Sequence, residues 1–491
     1  MTALREARER DIWVMAGAAG NSGREGWSSR TAFILAAVGA AVGLGNVWRF
    51  PTLAGENGGG AFVLFYIGCV FLLGLPLVIS EIFVGKVGQD GAVGSIRKVA
   101  QKSGVSTAWS GFGAIGVLAS FLILSFYSVV AGWVLYYVGV MGADFGSAVM
   151  SGDPFRGALV GQSQEAIQGR MGDLFASPIL LLTMHLIFMA VTFLIVVRGI
   201  GAGIEKAATI LMPMFFALLI GITIYGAFAG NMGDAVAFLF TPDWSKLTPE
   251  VMNTALGQAL FSLSLGVAAL ITYGSYIKGD AGLGPTSVTI AFADTGVALI
   301  AGLMIFPIVF AVGLDPAAGP TLVFQTLPFA FQTMPAGSLI GFLFFLLILV
   351  AAVTSSISLL EGPVAWGIGE LGWSRGKSTA IFGVSAFLIG IACLLGYNVW
   401  AEVRPLGFWS IFAETDILDT VDGFTGKVML PIGALLTAVF VGWRADRKLV
   451  DEVTKLNSFW LVLWRFLIAW VCPIAVAIIL VTGLFPSILG D

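Results

Sequence analysis

Apolar residues in this chain gather in long blocks separated by short polar stretches. A helix that crosses a bilayer needs about 20 largely apolar residues. On that rule the pattern predicts spans near 31–55, 61–86, 110–140, 177–197, 203–229, 254–278, 290–314, 337–371, 377–397, 418–443 and 458–485, eleven in all. The stretch TLVFQTLPFAFQTM at 321–334 is too short and too polar to cross, and reads as a re-entrant or lid helix. The expected fold class is an all-α polytopic membrane protein.

Two of these spans carry interruptions. Span one contains VGLGN at 42–46, followed by an arginine and a proline, and span six contains SLSLG at 262–266. Irregular backbone at membrane depth is tolerated only where it is buried in protein or lines a watery cavity. The two breaks lie five spans apart, so an odd-numbered repeat would run them in opposite directions. That predicts two inverted five-helix repeats, 27–230 and 254–443, with an extra span at 458–485 and one polar site between them near the midplane. A plainer reading, that Gly and Ser let helices approach closely, stays open for span six.

Composition agrees with the pattern: of 491 residues, 58% are hydrophobic and 11% charged, against about 25% charged in soluble domains. Cytoplasmic loops of membrane proteins are enriched in Lys and Arg. With the N-terminus inside, eighteen Lys and Arg fall on inner segments and six on outer ones, Arg465 lying within a span. The expected topology is a cytoplasmic N-terminal tail (1–26), no cleavable signal, and a C-terminus outside. One histidine, His185, and three cysteines in apolar runs, Cys69, Cys393 and Cys472, leave little material for metal or thiol chemistry. No nucleophile–base pair suggests an enzyme, and nothing suggests nucleic acid.

The segments GLGNVWRFP (43–51), ENGGGAF (56–62), FSLSLG (261–266) and TSSIS (354–358) together resemble the neurotransmitter:sodium symporters over about residues 24 to 485. The chain is most similar to the family's eleven-span bacterial amino-acid transporters of LeuT-like fold. The resemblance implies two sodium ions as coupling cations. Site 1 would use the Ala41 carbonyl, Asn46, Ser262, Asp294 and the substrate's carboxylate. Site 2 would use carbonyls of Gly39, Val42 and Ala351 with the hydroxyls of Thr354 and Ser355. Hard all-oxygen shells of this kind suit such an ion. A plainer role for Thr354 and Ser355 is hydrogen bonding back to their own helix.

Asp294 is a carboxylate within an apolar span, a functional candidate by default. Family members commonly have asparagine there, and eukaryotic ones add a chloride. Tyr66, Gln258 and Ser262 match chloride-lining positions, whereas Ala298 stands where some bacterial relatives keep an acid. The expectation is that Asp294 replaces chloride, so none is required. The substrate's carboxylate would meet the N–H groups of Leu44 and Gly45 and the Tyr127 hydroxyl. Its amino group would meet carbonyls of Ala41, Phe261 and Ser262, near Ser264. Amine transporters of the family place an aspartate at the position of Gly43, so glycine implies an amino acid. Ile123, Tyr127, Phe261, Val267, Ser355 and Leu359 would form a neutral, apolar side-chain pocket, with Val267 leaving room for aromatic substrates.

Gating residues follow from the same resemblance. Arg49 and Asp422 match an outer pair, with Tyr127 and Phe261 as an aromatic lid. Arg24 and Trp27 match an inner latch whose network includes Ser275, Tyr276 and Glu361. The usual aspartate partner aligns with Gly369, so either neighbouring Glu370 reaches across or the latch is weaker. Gly203 and Pro213 match a Gly-X9-Pro motif linked to unwinding of span five. The implied function is sodium-coupled import of neutral hydrophobic L-amino acids by alternating access. Two other readings stay open: a proton-coupled porter with Asp294 carrying the proton, and a non-transporting amino-acid-binding protein on this fold.

Overall fold

A computed structural model describes residues 25–279, 282–319 and 322–489. Arg24 and most of the expected N-terminal tail lie outside the described residues. Among those described, nine continuous helices are long and apolar enough to cross a membrane: Gly60–Gly88, Thr107–Met150, Pro178–Val196, Ile200–Ala229, Leu283–Ala311, Gly337–Leu371, Arg375–Leu395, Ile417–Arg444 and Ser458–Leu484. A tenth span is a bent pair, Arg30–Ala41 and Gly45–Glu56, whose axes diverge by 51°. The remaining expected span is divided further, into Pro249–Ser262 and Ala269–Ser275. Neither half is long enough to cross alone, which is why length and hydropathy count ten spans where the pattern predicts eleven.

Boundaries follow local chemistry. Span one starts where the Ser29 hydroxyl accepts the Ala32 N–H, a standard cap for an orphan donor. Span seven begins at Leu283, ahead of the predicted 290, because its polar first turns are helical without being apolar. Span three overshoots the predicted 140 and runs to Met150 for the same reason.

Burial sorts the helices into layers. In span eight 78% of the apolar stretch is buried, and in span three 72%, against 28% in span five and 33% in spans four and eleven. Spans three and eight therefore form the centre against which the broken spans pack, and spans four, five and eleven face outward with apolar side chains. The stretch at 321–334 forms two short helical turns, Leu322–Thr326 and Leu327–Thr333. Its Phe324 ring packs against Trp48, Trp133 and Tyr137 at the end of the bundle opposite Trp27. The end carrying Trp27 is the inner end in the orientation expected from the charges.

Candidate functional site

The two breaks face each other and complete each other's hydrogen bonding. In span one the helix stops at Ala41, Val42 is extended (φ −72, ψ 111), and a wider helical turn restarts at Gly45. In span six Ser264, Gly266 and Ala268 take left-handed φ of 52°, 82° and 60°, a region costly for residues with a Cβ. At Gly266 glycine is required twice over, since a Cβ there would lie 2.4 Å from the Leu430 carbonyl oxygen. Backbone groups freed by the breaks must find partners in an apolar interior. The Ser264 hydroxyl donates to the Ala40 carbonyl (3.1 Å), Gln258 Nε2 to the Gly45 carbonyl (2.8 Å), and Ser120 to the Val267 carbonyl (2.5 Å). The Gly266 N–H donates to Glu81 Oε1 at 2.8 Å.

A first polar cluster joins spans one, six and seven. Asn46 Nδ2 donates to Asp294 Oδ1 (2.7 Å), to the Asp294 carbonyl (3.1 Å) and to Ser262 Oγ (2.9 Å). Ser262 donates to Asp294 Oδ2 at 2.7 Å and accepts from Tyr66 at 3.2 Å. Asn46 Oδ1 accepts the Gly43 N–H at 3.1 Å. All four side chains are buried. This set is rich in hard oxygen donors of the kind alkali and alkaline-earth ions prefer, and it brings together the side chains expected for site 1. Tyr66, Gln258 and Ser262 also converge here, with Gln258 Oε1 buried and unpartnered.

A second cluster joins spans one and eight. The Ser355 hydroxyl donates to the carbonyls of Val42 (3.1 Å) and Gly39 (3.4 Å). Thr354 instead bonds its own helix, to Val350 (3.2 Å) and Ala351 (3.0 Å). The back-bonding alternative therefore describes Thr354 in this structure, while Ser355 reaches across. Gly39 faces Thr354, whose Cβ would lie 3.2 Å from a Cβ on the glycine. The five groups expected for site 2 are thus neighbours.

Between the clusters lies a small cavity of about 40 Å³, lined among others by Ala41, Leu44, Gly45, Ile123, Tyr127, Phe261, Ser264, Val267, Ser355 and Leu359. Ten of the eleven residues expected around a substrate line it. The exception is Ser262, whose hydroxyl turns into the first cluster. Gly43 also lines the cavity, and a Cβ there would lie 2.5 Å from Ser355 Oγ and 3.1 Å from the Tyr127 hydroxyl. Tyr127 accepts the Leu44 N–H at 3.5 Å.

Above it opens a larger cavity of about 460 Å³, with Trp48, Arg49, Phe324 and Asp422 in its walls. The two spaces share only Leu44, Gly45, Tyr127 and Phe261. Tyr127 and Phe261 thus stand where an aromatic lid is expected. The Arg49 guanidinium lies 4.2 Å above the Phe261 ring, a cation–π contact. Arg49 and Asp422 interact across the cavity by charge and not through a direct ion pair.

The inner end is sealed. Trp27 is buried (2% exposed); its Nε1 donates to the Tyr273 carbonyl (2.9 Å) and its N–H to the Tyr276 carbonyl (3.2 Å). Tyr276 donates to Glu361 at 2.5 Å, and Arg375 grips both Glu361 oxygens at 2.8 and 3.0 Å. Two neighbours of this network are engaged elsewhere. Ser275 bonds only the Thr272 carbonyl of its own turn, 2.7 Å away. Glu370 is held by Arg97 at 2.6 Å, and Arg24, its expected counterpart, lies outside the described residues.

Three residues escaped the sequence reading. Arg375 was hidden because its partner lies on the preceding span, and only helix packing reveals the pairing. Glu81 carried a readable signal, a carboxylate in an apolar span; it is fully buried and braces the span-six break. Leu430, from span ten, lines the small cavity and had no local mark.

Comparison with known proteins gives concordant results. The family described as the sodium:neurotransmitter symporter family matches residues 24–141 and 169–487. The uncharacterized sodium-dependent transporter YhdH of Bacillus subtilis is 36% identical over 458 residues, covering 92% of this chain and 96% of that protein. The sodium-dependent nutrient amino acid transporter 1 of Drosophila simulans is 27% identical, covering 90% and 75%. A crystal structure of MhsT in complex with L-phenylalanine is 41% identical, covering 94% of this chain and 100% of that one, with a TM-score of 0.83.

Proposed function

The chain belongs to the sodium:neurotransmitter symporter family, and from that premise we propose that it imports neutral hydrophobic L-amino acids, independently of chloride, by alternating access. It is a multi-pass, sodium-dependent secondary transporter of LeuT-like fold and not an enzyme. The finer reading rests above all on the small apolar cavity at the junction of the two breaks, bordered by two oxygen-rich clusters.

The chemistry supports an amino acid. Leu44 and Gly45 begin the second half of span one, where helix-start N–H groups favour a carboxylate, the Leu44 N–H being met by the Tyr127 hydroxyl. Gly43 supplies no charge of its own, so the substrate must bring the anion. L-Phenylalanine in MhsT and the amino-acid specificity named for the fly protein support the same class. Apolar walls at Ile123, Val267 and Leu359 offer no partner to a charged side chain.

Two sodium ions would act as co-substrates, the first bound together with the amino acid whose carboxylate completes its shell, the second at Ser355 and Thr354. Asp294 would give the first cluster a permanent negative charge in place of chloride. The outer cavity, with the Trp27 seal at the opposite end, supports an outward-facing state as the form that admits substrate. Release would follow loss of the Trp27 seal and unwinding near Gly203, which lies in a widened helical turn (Ile200–Glu205) ahead of Pro213. The cytoplasmic N-terminus and outer C-terminus remain our assignment from the charge distribution, and the bacterial inner membrane our assignment from the resemblance to bacterial family members.

The test is uptake of labelled leucine and phenylalanine into proteoliposomes under an inwardly directed sodium gradient, with sodium high outside. Uptake should cease when potassium replaces sodium. Uptake driven equally by a proton gradient alone would replace this reading with the proton-coupled one.

A further inference from the structure

The small cavity has a neighbour that opens beside the outer pair, with Arg49 and Asp422 in its walls. A side cavity of about 210 Å³ lies between the first half of span six, span ten and span eleven, with Asn253, Gly257, Gly426 and Lys427 in its walls. It shares two residues with the small cavity, Phe261 and Leu430.

The glycines here create space rather than relieve crowding. A Cβ on Gly257 or on Gly426 would meet nothing within 4 Å, and neither residue has a positive φ. Neither a turn nor a close helix approach therefore calls for glycine at these two positions. Empty volume inside a packed interior is destabilising. The wall is built differently. Leu430 is 3% exposed, and its carbonyl oxygen lies where a Cβ on Gly266 would fall. Its backbone is thus fixed against the span-six break, while Leu430 borders both spaces together with Phe261.

We propose that Leu430 is a specificity-determining residue: it walls the substrate cavity off from a side subsite that takes the distal part of a bulky aromatic side chain. The inference deepens the amino-acid reading above and rests on it. Asn253 gives that end a polar group: its Oδ1 accepts the Thr482 hydroxyl at 2.7 Å, and its second lone pair can receive an indole N–H. Shortening Leu430 joins the two spaces and leaves the backbone contact with Gly266 in place.

The experiment is sodium-dependent binding of labelled leucine to the purified full chain, with competition by unlabelled leucine and tryptophan. Each methylene of pocket room changes selectivity by about tenfold or more. In Leu430→Ala the affinity for tryptophan relative to leucine should rise about tenfold or more, and Leu430→Val should move it less in the same direction. Adding Gly257→Leu to Leu430→Ala fills the side cavity and should cancel the gain. A ratio within about twofold of wild type in both Leu430 variants, or a gain that survives Gly257→Leu, overturns the wall. Wild-type protein that binds no neutral amino acid with sodium overturns the amino-acid reading itself, and the wall with it.

Discussion

Replacing Asp294 by asparagine deletes one negative charge and keeps one oxygen in the same place. Asp294 receives two charge-assisted hydrogen bonds of 2.7 Å, from Asn46 and from Ser262. Hydrogen bonds to charged groups contribute about 1.5–3 kcal/mol, against about 0.5–1.5 for neutral pairs. The substitution thus weakens the link among spans one, six and seven by about 2 kcal/mol in total. For a cation about 4 Å from that carboxylate, a unit charge contributes about 4 kcal/mol at an effective dielectric near 20. The amide oxygen retains part of this, and taking half as lost leaves about 2 kcal/mol. At about 1.4 kcal/mol per tenfold, that is a rise of about thirtyfold in half-saturating sodium.

The assay is sodium titration of labelled amino-acid binding, run in chloride and in gluconate. Wild type should titrate identically in both. Asp294→Asn should need about thirtyfold more sodium in gluconate by the same arithmetic, and chloride should recover part of the loss through Tyr66, Gln258 and Ser262. Adding Ala298→Ser supplies another hydroxyl and should strengthen that recovery. A clear fall of wild-type binding without chloride, or an Asp294→Asn variant that titrates like wild type, refutes the reasoning.

Further outcomes follow from the same geometry. Thr354→Val with Ser355→Ala removes two hydroxyl ligands at nearly constant shape and should abolish sodium-driven uptake at normal expression; surviving uptake would dissociate this cluster from coupling. Hydrophobic amino acids should displace a bound labelled amino acid while their decarboxylated amines do not, and equal displacement would remove the substrate carboxylate from the argument. Glu361→Gln removes one of the two carboxylates that hold the half-buried Arg375, which keeps Glu25 at 2.9 Å, and should cost about 2 kcal/mol, visible as a lowered unfolding midpoint; an unchanged midpoint would make the network ornamental. In double-mutant cycles on stability, Asp294→Asn and Ser355→Ala should couple by at least about 0.5 kcal/mol, whereas Asp294→Asn and Thr354→Val should be additive; equal behaviour of the two pairs would contradict the linkage argued below.

The hydrophobic pattern carried most of the architecture, because a spanning helix is long enough to be read by composition alone. It located span eight to the residue, 337–371, and placed both breaks. It failed where helicity and apolarity part company, as in the polar first turns of span seven and the final turns of span three. Site residues divided along similar lines. Asn46, Ser262 and Asp294 stand out as polar groups in apolar runs, and the structure joins them directly. Arg375 does not stand out, because a basic residue at an inner helix end is expected of any membrane protein. Glu370 had the right charge beside the right position, but Arg97, far away in sequence, holds it. Leu430 is one leucine among many, and only the course of span ten marks it.

The two oxygen clusters share a rigid part. The Val42 carbonyl accepts the Ser355 hydroxyl, and the Gly43 N–H donates to Asn46 Oδ1. That C=O and that N–H belong to one peptide unit, and a peptide unit is planar. A tilt that improves the carbonyl's position toward a cation at the second cluster must also move the N–H held by the first. Flanking residues can absorb such a tilt, since Val42 is extended and the helix resumes only at Gly45. In an unbroken helix the same peptide would be locked by its own ladder and could transmit nothing. The Thr354 hydroxyl, bonded only within span eight, has no such lever. The break in span one therefore does two things at once: it frees backbone groups from the helix ladder, and it ties the freed groups of both clusters to a single plate between them.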